Sequence, residues 1–546
     1  MILDSLIYRD LFPLIESKMS DSNIGARKER NIRDHLFILY GIMNSVVHGG
    51  EESVDIQIYD VEKCFDKLWL EDCLLDLHDT LPLEGRNDKF SLIYKMNEDN
   101  FVAIKTTAGL TDRINLKQIV MQGGKWGPIK CSNTIDHIGK RFLKEDKHLY
   151  LYKGCVKILP LAMIDDLLVI APCGVKSEDV NIELNAEIDM KKLHFHAPKN
   201  GEKSKCHFLH IGKSATHQHN LKVHGTSMEQ VNCDTYLGDL ISEDFKNTKN
   251  IDERVSKGVG IVGVISDLVK TVSFGTHFFE IAVTLRNAFL INGILTNSEV
   301  WYGLSKSDIN KLENVDKLFL RKLFEVPTSC PTEAMYLELG CIPLGIIIQA
   351  RRIRYLHHLV TREKKGMLSE FFYAQWNFPC NRKEWTEQVK EDLELFGLPN
   401  NLEWLEAKKK SSFKRIVNEK MKEVAFHSLI NKKETHKKLE KLTYPRLEMQ
   451  SYLKKGVLSV SEARACFKFR TRMGVFWENF KHSKLKPFCP CCDEDVRDTQ
   501  RHSFDCKRVG SAVLINNQYE EIFETDIGKS LGQSLENILK YRENYL

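Results

Sequence analysis

The chain has 546 residues, 42% of them hydrophobic and 28% charged, with a net charge of +4. That balance excludes an intrinsically disordered chain, and the length leaves room for several domains. The longest apolar stretch, around Phe278 to Ile294, is broken by Glu280 and Arg286, short of the ~18 apolar residues of a membrane span, so no membrane helix is expected. The N-terminal residues carry Asp4 early and lack a basic start and a small-residue cleavage site, so a secretory signal is not expected and the protein is placed inside the cell. Fifteen cysteines scattered over so long a chain read as reduced thiols, apart from the dense group Cys489, Cys491, Cys492 and Cys506.

In chain order, the residues up to about Ser242 mix strand-like alternation with helical periodicity, the pattern of an α+β domain. Val54, Ile56 and Ile58 alternate with Asp55, Gln57 and Tyr59, which predicts a strand ending at Asp60. Val156 to Ile164 and Leu167 to Ala171 are two β-type runs separated only by Asp165 and Asp166, which predicts a hairpin with a carboxylate pair at its tip. His194, His196, His207, His210, His217, His219 and His224 are irregularly spaced with few partnering carboxylates and read first as surface or loop side chains, with a metal site as the less favoured alternative. Beyond Asp244 the pattern turns helical. Ile309, Leu312, Val315, Phe319 and Leu323 share one face behind the capping candidates Ser305 and Ser307, and Leu344 to Leu356 suggests a further helix. Pro399-Asn400-Asn401 marks a linker into a basic segment.

From Lys408 to Lys486 there are 22 Lys and Arg against 7 Glu, a net of +15, which leaves the rest of the chain at −11. Phe413, Phe426, Tyr444, Tyr452, Phe467, Phe469, Phe476, Trp477 and Phe480 interleave with these charges, so the segment reads as a nucleic-acid-binding arm with stacking platforms. Just beyond it, Cys489, Cys492, His502 and Cys506 follow C-x2-C-x9-H-x3-C, a spacing that closes four ligands around one structural Zn2+. Cys491 lies too close to Cys489 in register to be a good partner.

Three carboxylates are the candidates for chemistry. Nucleotidyl transfer uses two divalent ions, and Mg2+ takes oxygen ligands from carboxylates at strand ends. Asp60 with Asp165 and Asp166 supplies such a set if their strands are neighbours. Alone, an Asp pair at a hairpin is a solvated turn former far more often than a catalyst. The surroundings are what raise its specificity. Asp60-Val61-Glu62-Lys63-Cys64-Phe65-Asp66, then Gln122-Gly123-Gly124-Lys125-Trp126-Gly127-Pro128 with Asn133 following, then Met163-Ile164-Asp165-Asp166, resemble in order and separation the palm motifs of non-LTR retrotransposon (LINE-like) reverse transcriptases. Asn23 to Arg27 with Arg33-Asp34-His35 resembles the fingers motif before the palm, Lys205 before Cys206 the lysine-bearing motif, and Tyr236-Leu237-Gly238 the primer-grip turn. The resemblance covers roughly residues 20 to 245.

It implies a right-hand polymerase of α+β class: fingers and palm with an antiparallel sheet, then a helical thumb and arm and a small CCHC zinc knuckle. The expected layout is partial fingers at 1–50, palm with the remaining fingers at 51–245, a thumb-like region at 246–330, the basic arm at 331–485, the knuckle at 486–510 and a tail at 511–546. The implied activity is RNA-directed DNA polymerisation, with an RNA template, a DNA primer and dNTPs as partners, in an intracellular ribonucleoprotein of nucleus or cytoplasm. Asp60, Asp165 and Asp166 are the implied ligands of two Mg2+, assisted by the Val61 carbonyl. Phe65 is the implied steric gate against a 2′-hydroxyl, Arg27 the triphosphate partner through its planar fork, and Lys205 the proton donor to pyrophosphate. Gln122 and Gly123 are implied to line the nucleotide and template side, where a missing Cβ admits a base. Met163 replaces the usual aromatic, Gly127 the usual Ser and Cys64 the common Ala. The resemblance begins inside the fingers, so a truncated reading frame without endonuclease is expected, and the residues after Cys506 are too few for a nuclease domain. The competing expectation is an inactive remnant that only binds nucleic acid; a maturase-like or telomerase-like polymerase is disfavoured by the terminal knuckle.

Overall fold

The structure is a computed structural model that describes residues 2–82, 88–98, 101–118, 125–144, 150–197, 204–213, 219–271, 275–362, 365–381, 383–454, 456–480, 486–492, 495–513, 517–524 and 527–545. The class is mixed α+β, mainly helical with small sheets. The chain forms two compact units. The first comprises Met1–Asn247 with Val300–Gly303 and His358–Gln388, and the second comprises Thr248–Glu299, Leu304–His357 and Val389–Leu546. Among the described residues no single helix is long and apolar enough to cross a membrane.

The first unit is organised by a five-stranded sheet. Its strands are β1 (Val54–Asp60), β2 (Leu161–Met163), β3 (Asp166–Pro172), β4 (His207–Ile211) and the short β5 (Glu229–Gln230), in the order β5-β4-β1-β3-β2. All neighbours are antiparallel except β4 with β5. The expected strand at Val54 to Asp60 forms with those bounds. Its polar alternation ordinarily marks a wet face, yet Asp55, Gln57 and Tyr59 are fully buried. The helix Val175–Met190 covers that face: Gln57 Nε2 donates to Ser177 Oγ at 2.8 Å, and Asn181 Nδ2 donates to Tyr59 Oη at 2.8 Å.

The expected long strand from Val156 to Ile164 is divided. Val156–Ile158 pairs with Tyr150–Tyr152 in a separate ribbon, and only Leu161–Met163 joins the main sheet. Pro160 lies between the two pieces and has no N–H to give to a ladder. The turn is also one residue earlier than expected. Met163 pairs with Asp166, so Ile164 and Asp165 form the two-residue loop and Asp166 already belongs to β3.

The helix α1 (Ile32–Gly49) begins with a capping box between Asn31 and Asp34. Asp34 is nearly fully buried and also meets His358 Nε2 at 3.3 Å and Arg362 Nη1 at 3.2 Å. A buried carboxylate needs such partners, and they draw His358–Gln388, expected in the basic arm, into the first unit.

In the second unit, α2 (Thr248–Thr271) packs on α3 (Lys306–Phe324), and Gly258 permits the approach: a Cβ there would lie 2.9 Å from Val315. The expected apolar face of α3 is buried at Leu312, Val315, Phe319 and Leu323, and Ser305 caps the helix through a box with Asp308. The second predicted helix forms as Leu344–Thr361.

One packing constraint reaches the Asp165 turn directly. A Cβ on Gly25 would meet the Ile164 backbone N and Ser132 Oγ, each at 2.7 Å, closer than real side chains come. Gly25→Ala is expected to destabilise the protein by about 1–3 kcal/mol through overpacking, read as a lowered denaturation midpoint with unchanged slope.

Candidate functional site

The pairing of β1 with β3 sets Asp60 directly opposite Asp166, with Asp165 in the adjoining turn. The backbone is pinned around them: His196 N–H donates to Asp60 O at 2.9 Å, and Val61 N–H to Asp165 O at 3.4 Å. Ile164 has φ of +60°, an outlier for a β-branched residue that costs on the order of 1–3 kcal/mol and persists only where its surroundings over-determine it. They do so here. Ala162 N–H donates to Ser22 O, Ile24 N–H donates to Ala162 O, and Asn23 clasps Ser132 through two hydrogen bonds of 2.8 Å. Sequence patterning gave no sign of Ser132; its only cue is a position one residue before Asn133.

The electrostatics suit a cation. Burial first, then the charges of Asp165 and Asp60, push the Asp166 carboxyl up to about 6. Asp166 is nonetheless solvent-exposed, so neighbouring protein desolvates its carboxyl without sealing it from water. Burial, and after it the Asp60 charge, raises Asp165 as well. The counter-charge is Lys205, whose Nζ lies 3.4 Å from Asp60 Oδ2 on a side chain that is 62% exposed. Such an open pair contributes at most about 1 kcal/mol, so negative charge remains in excess. The three carboxylates do not converge as one tight cluster, unlike three other groups whose ligand atoms all lie within 4.8 Å. Carboxylates that share two ions do not all need to touch one another, because the ions themselves stand ~3.5–4 Å apart.

The remaining predicted residues divide. Phe65, on the short helix Cys64–Lys67, is half-buried against the sheet core, and Val61 is buried in it. Tyr236, Leu237 and Gly238 sit at the tip of a hairpin between β6 (Cys233–Tyr236) and β7 (Asp239–Ser242). Leu237 and Gly238 both have positive φ, 46° and 83°, the type I′ turn. The buried Tyr236 ring feels the Asp166 charge, which after burial is the second cause raising its hydroxyl. Tyr236 Oη meets His35 Nδ1 at 3.2 Å. His35 is held neutral, down at about 4, by complete burial; its Nε2 donates to Ser22 O at 2.8 Å, which assigns Nδ1 as the acceptor. Asp239 anchors the other strand by accepting from Tyr40 Oη at 3.0 Å and Trp301 Nε1 at 2.9 Å. Gln122 and Gly123 lie outside the described residues.

Two expectations need correction. Arg27 does not present its fork to a ligand: its side chain is 5% exposed, and its Nη1 donates to the Ser20 and Asn23 carbonyls at 2.5 and 2.8 Å. The aromatics of the basic segment are mostly core. Phe413, Tyr444, Tyr452, Phe467, Phe469 and Phe476 are buried, because the helices there need an apolar seam. The charge remains outside: on Lys410–Glu434, Lys410, Lys414, Arg415, Lys422 and Lys432 are exposed.

Cys489, Cys492, His502 and Cys506 are brought together, with ligand atoms all within 4.8 Å, as a group that can hold a metal. Cys492 Sγ lies 3.4 Å from His502 Nε2. Cys491 is excluded from the set; its thiol is buried, and burial pushes it up to about 12. The loop is tied to the last helix, Lys529–Glu543, by a buried pair: Arg542 Nη2 meets Asp498 Oδ1 and Oδ2 at 2.8 and 3.0 Å.

No protein-family model matches this chain, and no curated protein matches it. Among solved structures, telomerase from Candida albicans, in complex with the TWJ fragment of telomeric RNA, is similar at 12% identity with a TM-score of 0.30. The match covers 75% of this chain and 56% of that one, so the chain spans little more than half of that telomerase's length. A likeness at that level carries no argument about activity.

Because the folded Asp166 carboxyl lies near 6, above the ordinary value near 4, its favourable contribution is complete below pH ~4 and is lost as pH rises through ~6. Asp166→Asn is therefore expected to raise the melting temperature at pH 7.5 without added divalent ion, and the gain should shrink toward zero at pH 4. At the Cys489 group, Cys492→Ser with His502→Ala is expected to cost the full chain about one equivalent of bound zinc, measured by elemental analysis after purification without chelator.

Proposed function

We propose that the chain is a template-directed nucleotidyltransferase, an RNA-directed DNA polymerase of the non-LTR retrotransposon type that extends a DNA primer on an RNA template with dNTPs. The observation that carries this reading is the strand register that sets Asp60 against Asp166, with Asp165 beside them and Lys205 on Asp60. Three carboxylates, of which Asp165 and Asp166 are pushed up by burial and by neighbouring negative charge, and one exposed lysine fit the oxygen-donor chemistry of Mg2+. Two Mg2+ held by Asp60, Asp165 and Asp166 would supply activation of the primer hydroxyl and stabilisation of the leaving pyrophosphate.

The chain's own residues supply the rest. Lys205 is long, exposed and beside Asp60, placed to give a proton to the departing pyrophosphate. Phe65, half-exposed after β1, sets a bulky edge where a sugar 2′-carbon would lie. The type I′ tip at Leu237 and Gly238 offers backbone to the primer strand, and Tyr236 beneath it links that tip to the Asp166 field. The exposed lysines and arginine of Lys410–Glu434 attract phosphate without reading sequence. The Cys489 group, loaded with zinc, would stiffen a small nucleic-acid clamp. An intracellular ribonucleoprotein is the setting this activity requires.

The second reading, a catalytically inactive remnant that binds nucleic acid, is favoured by one observation: the Arg27 guanidinium is spent on backbone carbonyls and leaves no fork for a triphosphate. Primer extension on an RNA template with Mg2+ separates the two. Extension that falls by roughly 100-fold or more in Asp165→Asn, with RNA affinity unchanged, supports the polymerase. Steeply salt-dependent RNA binding without any extension selects the remnant.

A further inference from the structure

The strands that carry the Asp60 site hold a second cluster at their opposite end. Asp55 on β1, Cys173 just beyond β3, His210 on β4 and His219 in the following segment bring one ligand atom each to within 4.8 Å of one another. Sheet register makes the cluster. Asp55 pairs with His210 on one side and with Ala171 on the other, and the Cys173 N–H donates to Ser53 O at 3.0 Å, holding the thiol beside the start of β1. His210 Nδ1 lies 3.0 Å from Asp55 Oδ1, and His219 Nδ1 lies 3.2 Å from Asp55 Oδ2.

The environment is closed around the carboxylate, while Cys173 is partly exposed. The Asp55 carboxylate has no exposed surface, and the two imidazoles are only 11% and 8% exposed. Among the described residues, its ion-pair partners are those two imidazoles, with no Lys or Arg. A fully buried carboxylate with no Lys or Arg beside it is costly, and a bound cation supplies the missing counter-charge.

The geometry points to a structural transition-metal site, of the zinc class, formed by Asp55, Cys173, His210 and His219. One thiolate, two imidazoles and one carboxylate form a borderline-soft donor set that selects zinc over the oxygen-seeking Mg2+. Four protein ligands complete a tetrahedron and leave no open position, which distinguishes a structural ion from a catalytic one. Binding deprotonates the Cys173 thiol and releases one proton to solvent. The ion would clip β1, β3 and β4 together about 17 Å along β1 from Asp60, at ~3.3 Å per residue. Its effect is on the register of the sheet. The ligands come from four separate stretches of sequence, so no spacing motif announces them.

Elemental analysis of the full chain, purified without chelator, tests this. Cys173→Ser and His219→Gln are each expected to lose about one equivalent of zinc, additional to the equivalent lost in Cys492→Ser with His502→Ala. Co2+ added to zinc-depleted protein should show the visible bands of a tetrahedral site, with a thiolate charge-transfer contribution that Cys173→Ser removes. Where the palm variants fold poorly, the Cys492→Ser, His502→Ala variant decides: about one zinc retained supports the site. No zinc retained there, or unchanged zinc and Co2+ spectra in Cys173→Ser, overturns it and leaves a metal-free hydrogen-bonded cluster.

Discussion

Seven consecutive residue pairs between β1 and β3, from Val54 with Pro172 to Asp60 with Asp166, decide where the polar groups of the first unit fall. A slip of one residue would carry every side chain of β1 to the other face of the sheet. Because both faces are buried, that slip would put Ile56 and Ile58 where Gln57 and Tyr59 find their partners under the helix Val175–Met190, and it would separate Asp60 from Asp166. The register is thus a stability constraint and a functional one together. At one end it gathers carboxylates whose mutual repulsion has to be offset, and at the other it gathers Asp55 with two imidazoles and a thiol.

The strain at Ile164 belongs to the same arrangement. A two-residue turn with glycine at its first position would relieve the positive φ, but glycine would also loosen the residue that precedes Asp165. Gly25, Asn23 and Ser132 close around the turn instead, through contacts that leave no room for a Cβ. The rigidity needed to hold adjacent carboxylates comes from residues that precede the turn by more than 30 positions in the sequence.

How much of this the sequence disclosed depends on the residue. The bounds of β1 were legible because alternation stops at Asp60, and the helix from Lys306 was legible because a capping box precedes a regular apolar face. The hairpin turn was read one residue late because Ile164, a β-former, occupies a turn position that its side chain disfavours. The aromatics of the basic segment looked like stacking platforms because composition does not reveal which face of a helix is covered; Phe413 and Phe467 are core. Arg27 shows the same limit: a motif position fixes where the backbone goes, not where a long side chain ends. Irregular spacing makes a metal site the less favoured reading of the histidines, while sheet pairing sets His210 against Asp55 and the chain returns His219 beside it, each more than 150 residues on in sequence.

The measurement closest to the central claim is Mn2+ binding to the full, zinc-loaded chain, followed by electron paramagnetic resonance at pH 7.5. If Asp60, Asp165 and Asp166 form the divalent-ion site, wild-type protein binds Mn2+, and Asp60→Asn and Asp165→Asn each weaken that binding by roughly tenfold or more, the scale of ~1.4 kcal/mol for one lost ligand. Mn2+ affinity that is the same in wild type and both variants would contradict the site and, with it, the polymerase reading.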